Sequence, residues 1–374
     1  MLTRIQNLAD RIQSLSQAQG SAAEVDAILI VDEVNVRYLT GFTGDSTYVI
    51  VERSGKATML SDGRYEIQLA QECGDLPAMV RPPGQKLDEL LAEAISSLKI
   101  KTLAIEAMHV RVATFRGWTE QLSGTTLVET ADVVEELRKI KDADEVATIR
   151  RSIDVAQRAY REVISNLTPT MTENDVYYAL ESTMRGLGAE GVSFHPIIGA
   201  EPSGSLPHYR PRDVALGDCR TLLVDWGAKV DGYCSDLTRT LSRPGTTSPT
   251  SARFADAHQA VLEAQLAAID RIADGVEAIE VDEAARSVLK KAGLADAFKH
   301  GLGHGFGLEI HEDPRMGPAS ETTLRSGMVL TVEPGVYFEG EFGIRIEDDL
   351  LVTDEGCEVL SNLPKGLDDC PLFM

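Results

Sequence analysis

The sequence predicts a mixed α/β (α+β) protein that folds as two domains. Short apolar runs alternate with amphipathic helical patterns, which is typical of layered α/β structure. The chain has 374 residues, enough for two buried cores, and an apolar fraction of 43%, as in ordinary globular proteins. The composition changes near residues 131–145, where a charged stretch lacks strand alternation. We therefore predict one domain over residues 1–135 and a second over residues 142–374.

The elements follow from periodicity. In the first domain, strands are predicted over residues 27–31, 47–52, 57–61 and 102–107, and helices over 86–98 and 111–122. The second domain opens on a long amphipathic helix over 144–167. A further helix begins at Thr172, where Thr-Glu-Asn-Asp resembles a capping box with Asp in place of Glu. Two more helices are predicted over about 251–273 and 281–292.

Charge and cysteine usage exclude several function classes. The net charge of −23 argues against a nucleic-acid partner, because the phosphate backbone would repel the protein. The five cysteines are scattered without CxxC spacing, which suits a reducing compartment. The N-terminal stretch is amphipathic and lacks the apolar core of a signal peptide, and no apolar run approaches membrane-spanning length. We expect a cytoplasmic protein without a membrane partner.

The first candidate site lies on a predicted hairpin. Asp225 and Asp236 flank a turn at similar distances, so the hairpin could place them as cross-strand neighbours. Aspartate near glycine is usually a turn or surface residue. Asp225, however, follows an apolar run and precedes Trp226, and a buried carboxylate needs a partner such as a metal ion. On this pair alone, both interpretations stay open.

A second predicted hairpin repeats this arrangement. Glu333 and Glu347 are symmetric about Gly340, a natural turn residue. On the returning strand, Arg345 and Glu347 share one face, while the intervening isoleucines take the other. Glutamate at the end of an apolar strand is uncommon without a function, because it is almost never fully buried unpaired.

Three of the seven histidines fall within the segment HGLGHGFGLEIH at 300–311. Its alternate glycines keep the loop thin enough for the backbone to approach a ligand closely. His304 is the best ligand candidate, and His300 and His311 would flank it as proton donors and substrate contacts. His109 and His258 are interpreted as structural or surface residues.

Asp225, Asp236, His304, Glu333 and Glu347 together predict a site for two divalent metal ions. Four carboxylates balance the charge of two such ions, and without metal they would repel each other until some were protonated. Oxygen donors with one imidazole suit Mn(II), Co(II) or Zn(II). Paired ions generate hydroxide from water and stabilise a tetrahedral intermediate. These residues therefore predict a dinuclear metallohydrolase.

The motifs DWGAKVDGYCSDLTRT, GHGFGLEIHE, EPGVY and GIRIED resemble those of the pita-bread metallopeptidases, the class of methionine aminopeptidase, aminopeptidase P and prolidase. All stand in the family's order, and the resemblance covers the second domain. It implies a pita-bread fold in which Asp236 and Glu347 bridge both ions. Asp225 would chelate one ion, and His304 and Glu333 would complete the other.

The resemblance also implies roles in catalysis. Spacing alone leaves His208 unassigned, but in the aminopeptidase P branch the histidines matching His208 and His311 contact the substrate carbonyl and the tetrahedral intermediate. His300 would line the pocket beyond the scissile bond, and Arg345 would contact substrate or support a ligand. We expect a metal-bridging hydroxide to attack the carbonyl before proline, with Glu333 as general base.

In the first domain, NVRYLTGFTGDSTYVIV and LSDGRYEIQ resemble the N-terminal domain of the creatinase and prolidase group. Methionine aminopeptidases lack this domain. Its presence implies an Xaa-Pro peptidase that acts on proline-containing peptides, and it implies a homodimer. Among the three metals that fit the donors, manganese is the first choice. One departure is the segment GAEPSGSLPH before His208, which lacks the Asn of the commoner SGxN version and puts loop contacts to the substrate in question.

Three alternatives stay open. A creatinase-like hydrolase without metal shares both domains but lacks the acidic ligands that this chain retains. A non-catalytic binding member of the same fold would also be expected to have lost ligands. An aminopeptidase for other N-terminal residues would share the site. The sequence does not separate a dipeptidase from an aminopeptidase P, and it does not choose the metal.

Overall fold

The described part of the chain covers residues 2–18, 24–245 and 249–373 of a computed structural model, and it divides into two units between Arg138 and Lys139. This division falls in the stretch 136–141 that the sequence leaves between its two predicted domains. The outer limits at 135 and 142 stay predictions. No helix in these ranges has the length and apolarity needed to cross a membrane.

The first unit is a six-stranded sheet with helices, and its strand order is β4-β3-β2-β1-β5-β6. Its elements are α1 (Leu2–Ala18), β1 (Ala27–Ile30), α2 (Glu33–Thr40), β2 (Tyr48–Glu52), β3 (Ala57–Asp62), α3 (Glu66–Glu72), β4 (Ala78–Arg81), α4 (Leu87–Leu98), β5 (Thr102–Glu106), α5 (Val112–Gln121), β6 (Thr126–Thr130) and α6 (Glu135–Arg138). The four predicted strands and both predicted helices are confirmed. The strand β1 is parallel to β5 and antiparallel to β2.

A buried polar network lies where β5 ends. The Glu106 carboxylate accepts the backbone N–H of Val31 at 2.6 Å and the side-chain amide of Asn35 at 2.7 Å. Asn35 also donates to Glu135, whose carboxylate lies 2.9 Å from His109 Nε2. The hydrogen bond to Glu135 raises the pKa of His109 to about 9. His109, interpreted from the sequence as a structural or surface residue, is thus part of an ion network within this unit.

The second unit contains four α-helices and four sheets in the described ranges. Its elements are α7 (Ala143–Ser165), α8 (Glu173–Gly186), β7 (Gly191–Val192), β8 (Ile197–Ala200), β9 (Thr221–Trp226), β10 (Ala228–Val230), β11 (Tyr233–Cys234), β12 (Leu237–Ser242), α9 (Pro249–Arg271), α10 (Ala278–Lys291), β13 (Gly303–Gly305), β14 (Glu312–Met316), β15 (Val329–Val332), β16 (Gly335–Phe338), β17 (Phe342–Arg345), β18 (Asp348–Thr353) and β19 (Gly356–Val359). The sheets run β12-β9-β8, β11-β10-β7, β14-β13-β15-β18-β19 and β16-β17.

Two helix pairs cover two cores in this unit. The apolar faces of α7 and α8 pack on β9 and β12, and those of α9 and α10 pack on β15, β17 and β18. The predicted capping box of α8 is confirmed, because Thr172 Oγ1 accepts from the backbone N–H of Asp175 and the Asp175 carboxylate accepts from the backbone N–H of Thr172. The strands of both cores therefore turn their opposite faces towards each other, and polar residues on those faces can meet.

A buried guanidinium joins the strands of the two cores. Arg239 on β12 is 1% exposed. It donates to the carbonyl of Glu347 at 2.6 Å, to Asp348 Oδ1 at 2.8 Å, and to the carbonyls of Leu363 and Pro364 at 2.8 Å. Because a guanidinium offers five donors in a fixed plane, these acceptors define one relative position for β12 and the start of β18.

Candidate metal centre

The five predicted ligands converge on the wall of one cavity of about 640 Å³ in the second unit. One carboxylate oxygen from each of Asp225, Asp236 and Glu347 lies within 4.8 Å of the others. His304 Nε2 is 3.6 Å from Asp236 Oδ2 and 3.4 Å from Glu333 Oε1. The structure therefore brings all five side chains together, while their role as ligands stays a prediction.

The first hairpin differs from the sequence prediction in register. Asp225 on β9 is paired with Thr238 on β12, not with Asp236. The reason is the turn, which is centred on Asp231 and Gly232, both with positive φ (46° and 84°). A two-residue Asp-Gly turn of this hand matches the twist of a hairpin and fixes its register. Asp236 is thus the diagonal neighbour of Asp225, two residues before its partner, and side chains two residues apart share a face.

The second hairpin follows the sequence prediction. The pairing of β16 with β17 places Gly335 opposite Arg345, and continuing this register places Glu333 opposite Glu347. Ile344 is buried in the core under α9, and Arg345 faces the site, as the predicted alternation requires. A bridge between Thr238 and Glu347 joins this hairpin to the first one.

Hydroxyl groups hold the two glutamates. Thr238 Oγ1 donates to Glu347 Oε2 at 2.6 Å, and Thr331 Oγ1 donates to Glu333 Oε1 at 3.3 Å. Each hydroxyl leaves other carboxylate oxygen lone pairs available, since a carboxylate has about four acceptor positions. These threonines therefore orient the carboxylates and leave acceptor positions available for a cation.

The imidazole of His304 is held in one tautomer. Its Nδ1 lies 3.0 Å from the carbonyl oxygen of Gly305, so Nδ1 carries the hydrogen and Nε2 presents a lone pair. Burial lowers the pKa of His304 to about 3, which keeps the ring neutral. A neutral imidazole whose second nitrogen donates to a carbonyl is the usual form of a histidine metal ligand.

The four carboxyls carry a large electrostatic cost without a cation. Burial, and then repulsion from neighbouring carboxylates, raises the pKa of Asp236 and of Glu347 well above the ordinary range. Burial raises the pKa of Glu333 to about 7. Burial also raises the pKa of Asp225, although Arg345 opposes that shift. Positive charge in the cavity would stabilise the ionised carboxylates and so oppose these shifts.

These residues fit divalent cations. Asp225 Oδ1 is buried, and within the described ranges it has no hydrogen-bond partner. An unpaired buried carboxylate oxygen is costly unless a cation or donor occupies its lone pair. The donor set is four carboxylates and one imidazole, which suits hard or borderline divalent ions. We conclude that the site has the charge, the donors and an open acceptor for metal binding.

Arg345 and His300 form the cavity wall beside the carboxylates. Arg345 forms an ion pair with Asp225 and donates to the Tyr337 hydroxyl at 2.6 Å. His300 Nδ1 lies 2.8 Å from the carbonyl of Gly301, so its Nε2 accepts from the Tyr337 hydroxyl at 3.0 Å. Arg345 is 3% exposed and contacts Asp225 directly, while its role towards a ligand or a substrate stays a prediction.

His208 and His311 line the open side of the cavity. Both are solvent-exposed residues. The His311 ring meets the His304 ring edge to face, with centroids 4.5 Å apart. His311 thus lies directly over a candidate ligand, where it can reach a bound substrate.

The comparison with known families decides the class of the chain. The model of metallopeptidase family M24 matches residues 147–354, more than half of the chain. The chain belongs to metallopeptidase family M24. The creatinase/prolidase N-terminal domain matches residues 11–140. The fold class and the family resemblance inferred from the sequence are confirmed.

Relatives of this M24 peptidase match it over nearly its whole length. A Xaa-Pro dipeptidase of Pyrococcus furiosus is 32% identical over 92% of this chain and 95% of its own. A solved Xaa-Pro dipeptidase of Bacillus anthracis superposes with a TM-score of 0.90 at 31% identity, covering 98% of both chains. A solved X-Pro aminopeptidase of Thermotoga maritima superposes with a TM-score of 0.85 at 32% identity, covering 96% of this chain and 98% of its own.

Sequence reasoning missed several residues of this M24 site. Thr238 and Thr331 orient glutamates, and Tyr337 connects Arg345 to His300. Arg315 on β14, paired in register with His304, also lines the cavity. The sequence pattern of β14 does not mark Arg315 as a site residue, and only its position beside His304 in the structure identifies it.

Proposed function

We propose that this chain is a metal-dependent Xaa-Pro peptidase that hydrolyses the bond between an N-terminal residue and proline. One observation carries the proposal. Three buried carboxylates, the partly buried carboxylate of Glu333 and the Nε2 of His304 converge in a cavity that is also lined by His208, His300 and His311. The names of the relatives support the substrate class, since those named act on Xaa-Pro or X-Pro substrates.

The proposed ligands are the five converging residues Asp225, Asp236, His304, Glu333 and Glu347. When bound, two divalent ions supply a Lewis acid for the carbonyl and lower the pKa of water. We assign Mn(II) as the first choice, with Co(II) and Zn(II) as alternatives, because oxygen donors dominate the set. The full ligand set disfavours a creatinase-like or non-catalytic role.

The side chains around the proposed ligands divide the remaining work. Glu333, whose pKa burial raises to about 7, is suited to take a proton from water and return it to the leaving proline nitrogen. His208 and His311 can donate hydrogen bonds to the oxygens of the tetrahedral intermediate from the open side of the cavity. Arg345 holds Asp225, and His300 lines the wall where the substrate would lie.

Two further proposals follow from the family. We propose a homodimer, as the resemblance of the first domain implies. We also propose a cytoplasmic location. All five cysteines, each within the described ranges, are free thiols, as expected in a reducing compartment.

The proposed function is tested with metal-stripped protein refilled with Mn(II), Co(II) or Zn(II). An Xaa-Pro dipeptide and an Xaa-Pro-Xaa tripeptide are the substrates, and an Xaa-Ala dipeptide is the control. We expect cleavage of at least one proline peptide, little cleavage of the control, and about two ions per chain by elemental analysis. Absence of cleavage with every metal would overturn the peptidase assignment and leave a binding role.

Arg315 favours the dipeptidase over aminopeptidase P. Its exposed guanidinium lines the cavity, and a free carboxylate of a short substrate is the anion that such a group binds in bidentate fashion. We expect Arg315→Gln to lower kcat/KM for the dipeptide about 100-fold, which corresponds to a lost charge-assisted hydrogen bond of about 3 kcal/mol. Cleavage of a tripeptide amide, which lacks a nearby carboxylate, is expected to change less than about threefold.

The matched control for Arg315 is Arg325→Gln, an exposed arginine that pairs with Asp274 away from the cavity. This variant should leave kcat/KM for both substrates unchanged. An equal loss of kcat/KM for the dipeptide and the tripeptide amide would show that Arg315 does not bind the substrate carboxylate.

A further inference from the structure

His311 lies on a short connection between two strands. The strand β13 ends at Gly305 and β14 begins at Glu312, so residues 306–311 carry the His311 ring to its position over His304. Cys234 contacts this connection through its backbone N–H, which donates to the carbonyl of Gly307 at 2.8 Å, and through its thiol, which donates to the carbonyl of Leu308 at 3.9 Å. His311 itself is exposed, and its position therefore depends on how the residues beside it are fixed.

A buried ion pair lies immediately after His311. Lys141 Nζ is 3.0 Å from Glu312 Oε2, and the two side chains are 1% and 7% exposed. Burying two charges has a large desolvation cost, and replacing such a pair by apolar residues is often neutral or stabilising. A pair of this kind is therefore weak evidence for stability, and a positional role has to be considered.

The Glu312 carboxylate also organises the connection. It accepts the backbone N–H of Glu309 at 3.1 Å through Oε1. Both of its oxygens lie where a side chain at Gly307 would be, since an added Cβ would come within 2.9 Å of each. Glu312 thus contacts the connection at two points, one on each side of Leu308, and leads directly into His311.

Lys141 is fixed from its own side. Its backbone N–H donates to the carbonyl of Gly327 at 2.9 Å, and Ile140 forms a bridge with Met328 just before β15. Two residues earlier, Lys139 Nζ lies 3.1 Å from Asp313 Oδ2, but Asp313 is 46% exposed. The segment 139–141 therefore carries two ion pairs to consecutive residues of β14, of which only the pair next to His311 is buried.

We propose that Lys141 and Glu312 are positioning residues that hold His311 over His304. The proposal rests on the proposed function, in which His311 contacts the substrate. The Lys141 ammonium fixes the Glu312 carboxylate, the carboxylate fixes residues 307–309, and the imidazole of His311 is held between these contacts and the start of β14. Neither positioning residue touches the substrate.

A double-mutant cycle tests the proposal on the metal-loaded, full-length protein. Lys141→Met keeps the length of the side chain and removes its charge, and Glu312→Gln is the near-isosteric change on the other partner. We expect each to lower kcat/KM on the proline peptide about tenfold. Displacing a catalytic group by about 1 Å can lower the rate by up to about 100-fold. In the His311→Ala background, the same changes are expected to lower kcat/KM less than about twofold.

The cycle separates positioning from a general structural role. Equal losses with and without His311 would overturn the proposal, even if peptidase activity were confirmed. The matched control is Lys139→Met, which removes the more exposed pair and should leave kcat/KM within about twofold of the parent. Because Lys141→Met removes the cation beside the buried Glu312 carboxylate, Glu312→Gln provides the same test if the first variant does not fold.

A second readout does not depend on activity. In a histidine-selective NMR spectrum, the His311 signal is identified by its loss in His311→Ala. We expect Lys141→Met and Glu312→Gln to shift this signal, and Lys139→Met to leave it in place. If no peptide is cleaved but these shifts appear, the proposed function fails while the positioning holds. An unmoved His311 signal in both Lys141→Met and Glu312→Gln would refute the positioning itself.

Discussion

Glu333→Gln is expected to lower kcat on an Xaa-Pro peptide by about 1,000-fold or more while the fold is retained. The amide cannot take a proton from water or return it to the leaving nitrogen. It can still accept the hydrogen bond that Thr331 gives to Glu333 in the parent. Its shape is nearly that of the carboxylate, so the surrounding packing is preserved. Steady-state kinetics on refilled protein measures the loss, and circular dichroism checks the fold.

Glu333 is also a proposed ligand, and the two roles have to be separated. Elemental analysis of Glu333→Gln gives the ion content. A variant that keeps two ions and loses turnover has lost the proton transfer, and one that keeps a single ion has lost the second site. The control is Glu339→Gln, an exposed position in the turn of the same hairpin. Activity of Glu333→Gln within tenfold of the parent would rule out the general-base assignment.

Removal of the metal is expected to destabilise the second unit more as the pH rises. Without cations, burial raises the pKa of Glu333 from 4.5 to about 7, and burial and neighbouring carboxylates raise the pKa of Asp236 and of Glu347 well above the ordinary range. A carboxyl with a raised pKa in the folded state contributes stability that is present below its unfolded pKa and lost as the pH rises through its folded pKa. The loss for the metal-free protein therefore develops between pH 4.5 and about pH 7 and above.

The difference in Tm between metal-loaded and metal-free protein measures this effect. For Glu333 alone, the rise in pKa corresponds to about 3 kcal/mol in the free energy of unfolding. For a unit of this size, that is roughly 10 °C in Tm. We expect the difference to widen by roughly that amount between pH 5 and pH 8. The metal-free Glu333→Gln variant should show a smaller widening, and Glu339→Gln should match the parent. A difference in Tm that stays constant with pH would contradict the electrostatic account.

The second hairpin shows what the sequence could predict. Glu333 and Glu347 stand at equal distances from Gly340, and the alternation of isoleucine with Arg345 and Glu347 fixes which face is polar. Both signals are local, because a tight turn and the two-residue period of a strand determine the register. The capping box at Thr172 was predictable for the same reason.

The first hairpin shows where local reasoning fails. The segment between Asp225 and Asp236 contains an evident turn, but its centre depends on which two residues adopt positive φ. The turn at Asp231 and Gly232 shifts the pairing so that Thr238 is opposite Asp225. This register then puts Asp236 opposite Gly227, where a side chain would come within 1.8 Å of the carbonyl of Ser235. The residues of this turn are evident in the sequence. The similar distances of Asp225 and Asp236 from it suggested that these two residues face each other, whereas the partner of Asp225 is Thr238.

Contacts between distant segments were beyond prediction. Lys141 and Glu312 are far apart in sequence, as are Arg345 and Asp225, and no periodic pattern links the members of either pair. Their meeting depends on how the two helix-covered cores pack, which is a property of the whole unit. The five candidate ligands could be picked out one by one from their local motifs, whereas the groups that orient them became visible only in three dimensions.

Arg239 has a consequence for how metal would enter the protein. Its donors are satisfied by backbone and side-chain oxygens of the chain itself, including the carbonyl of Glu347 and the carboxylate of Asp348. The strands that carry Asp236 and Glu347 are therefore assembled by the polypeptide before any ion arrives. Zinc fingers are different, because their ligands come together only when the metal drives folding. In this chain we therefore expect the capture of ions to be a docking event into a preorganised receptor.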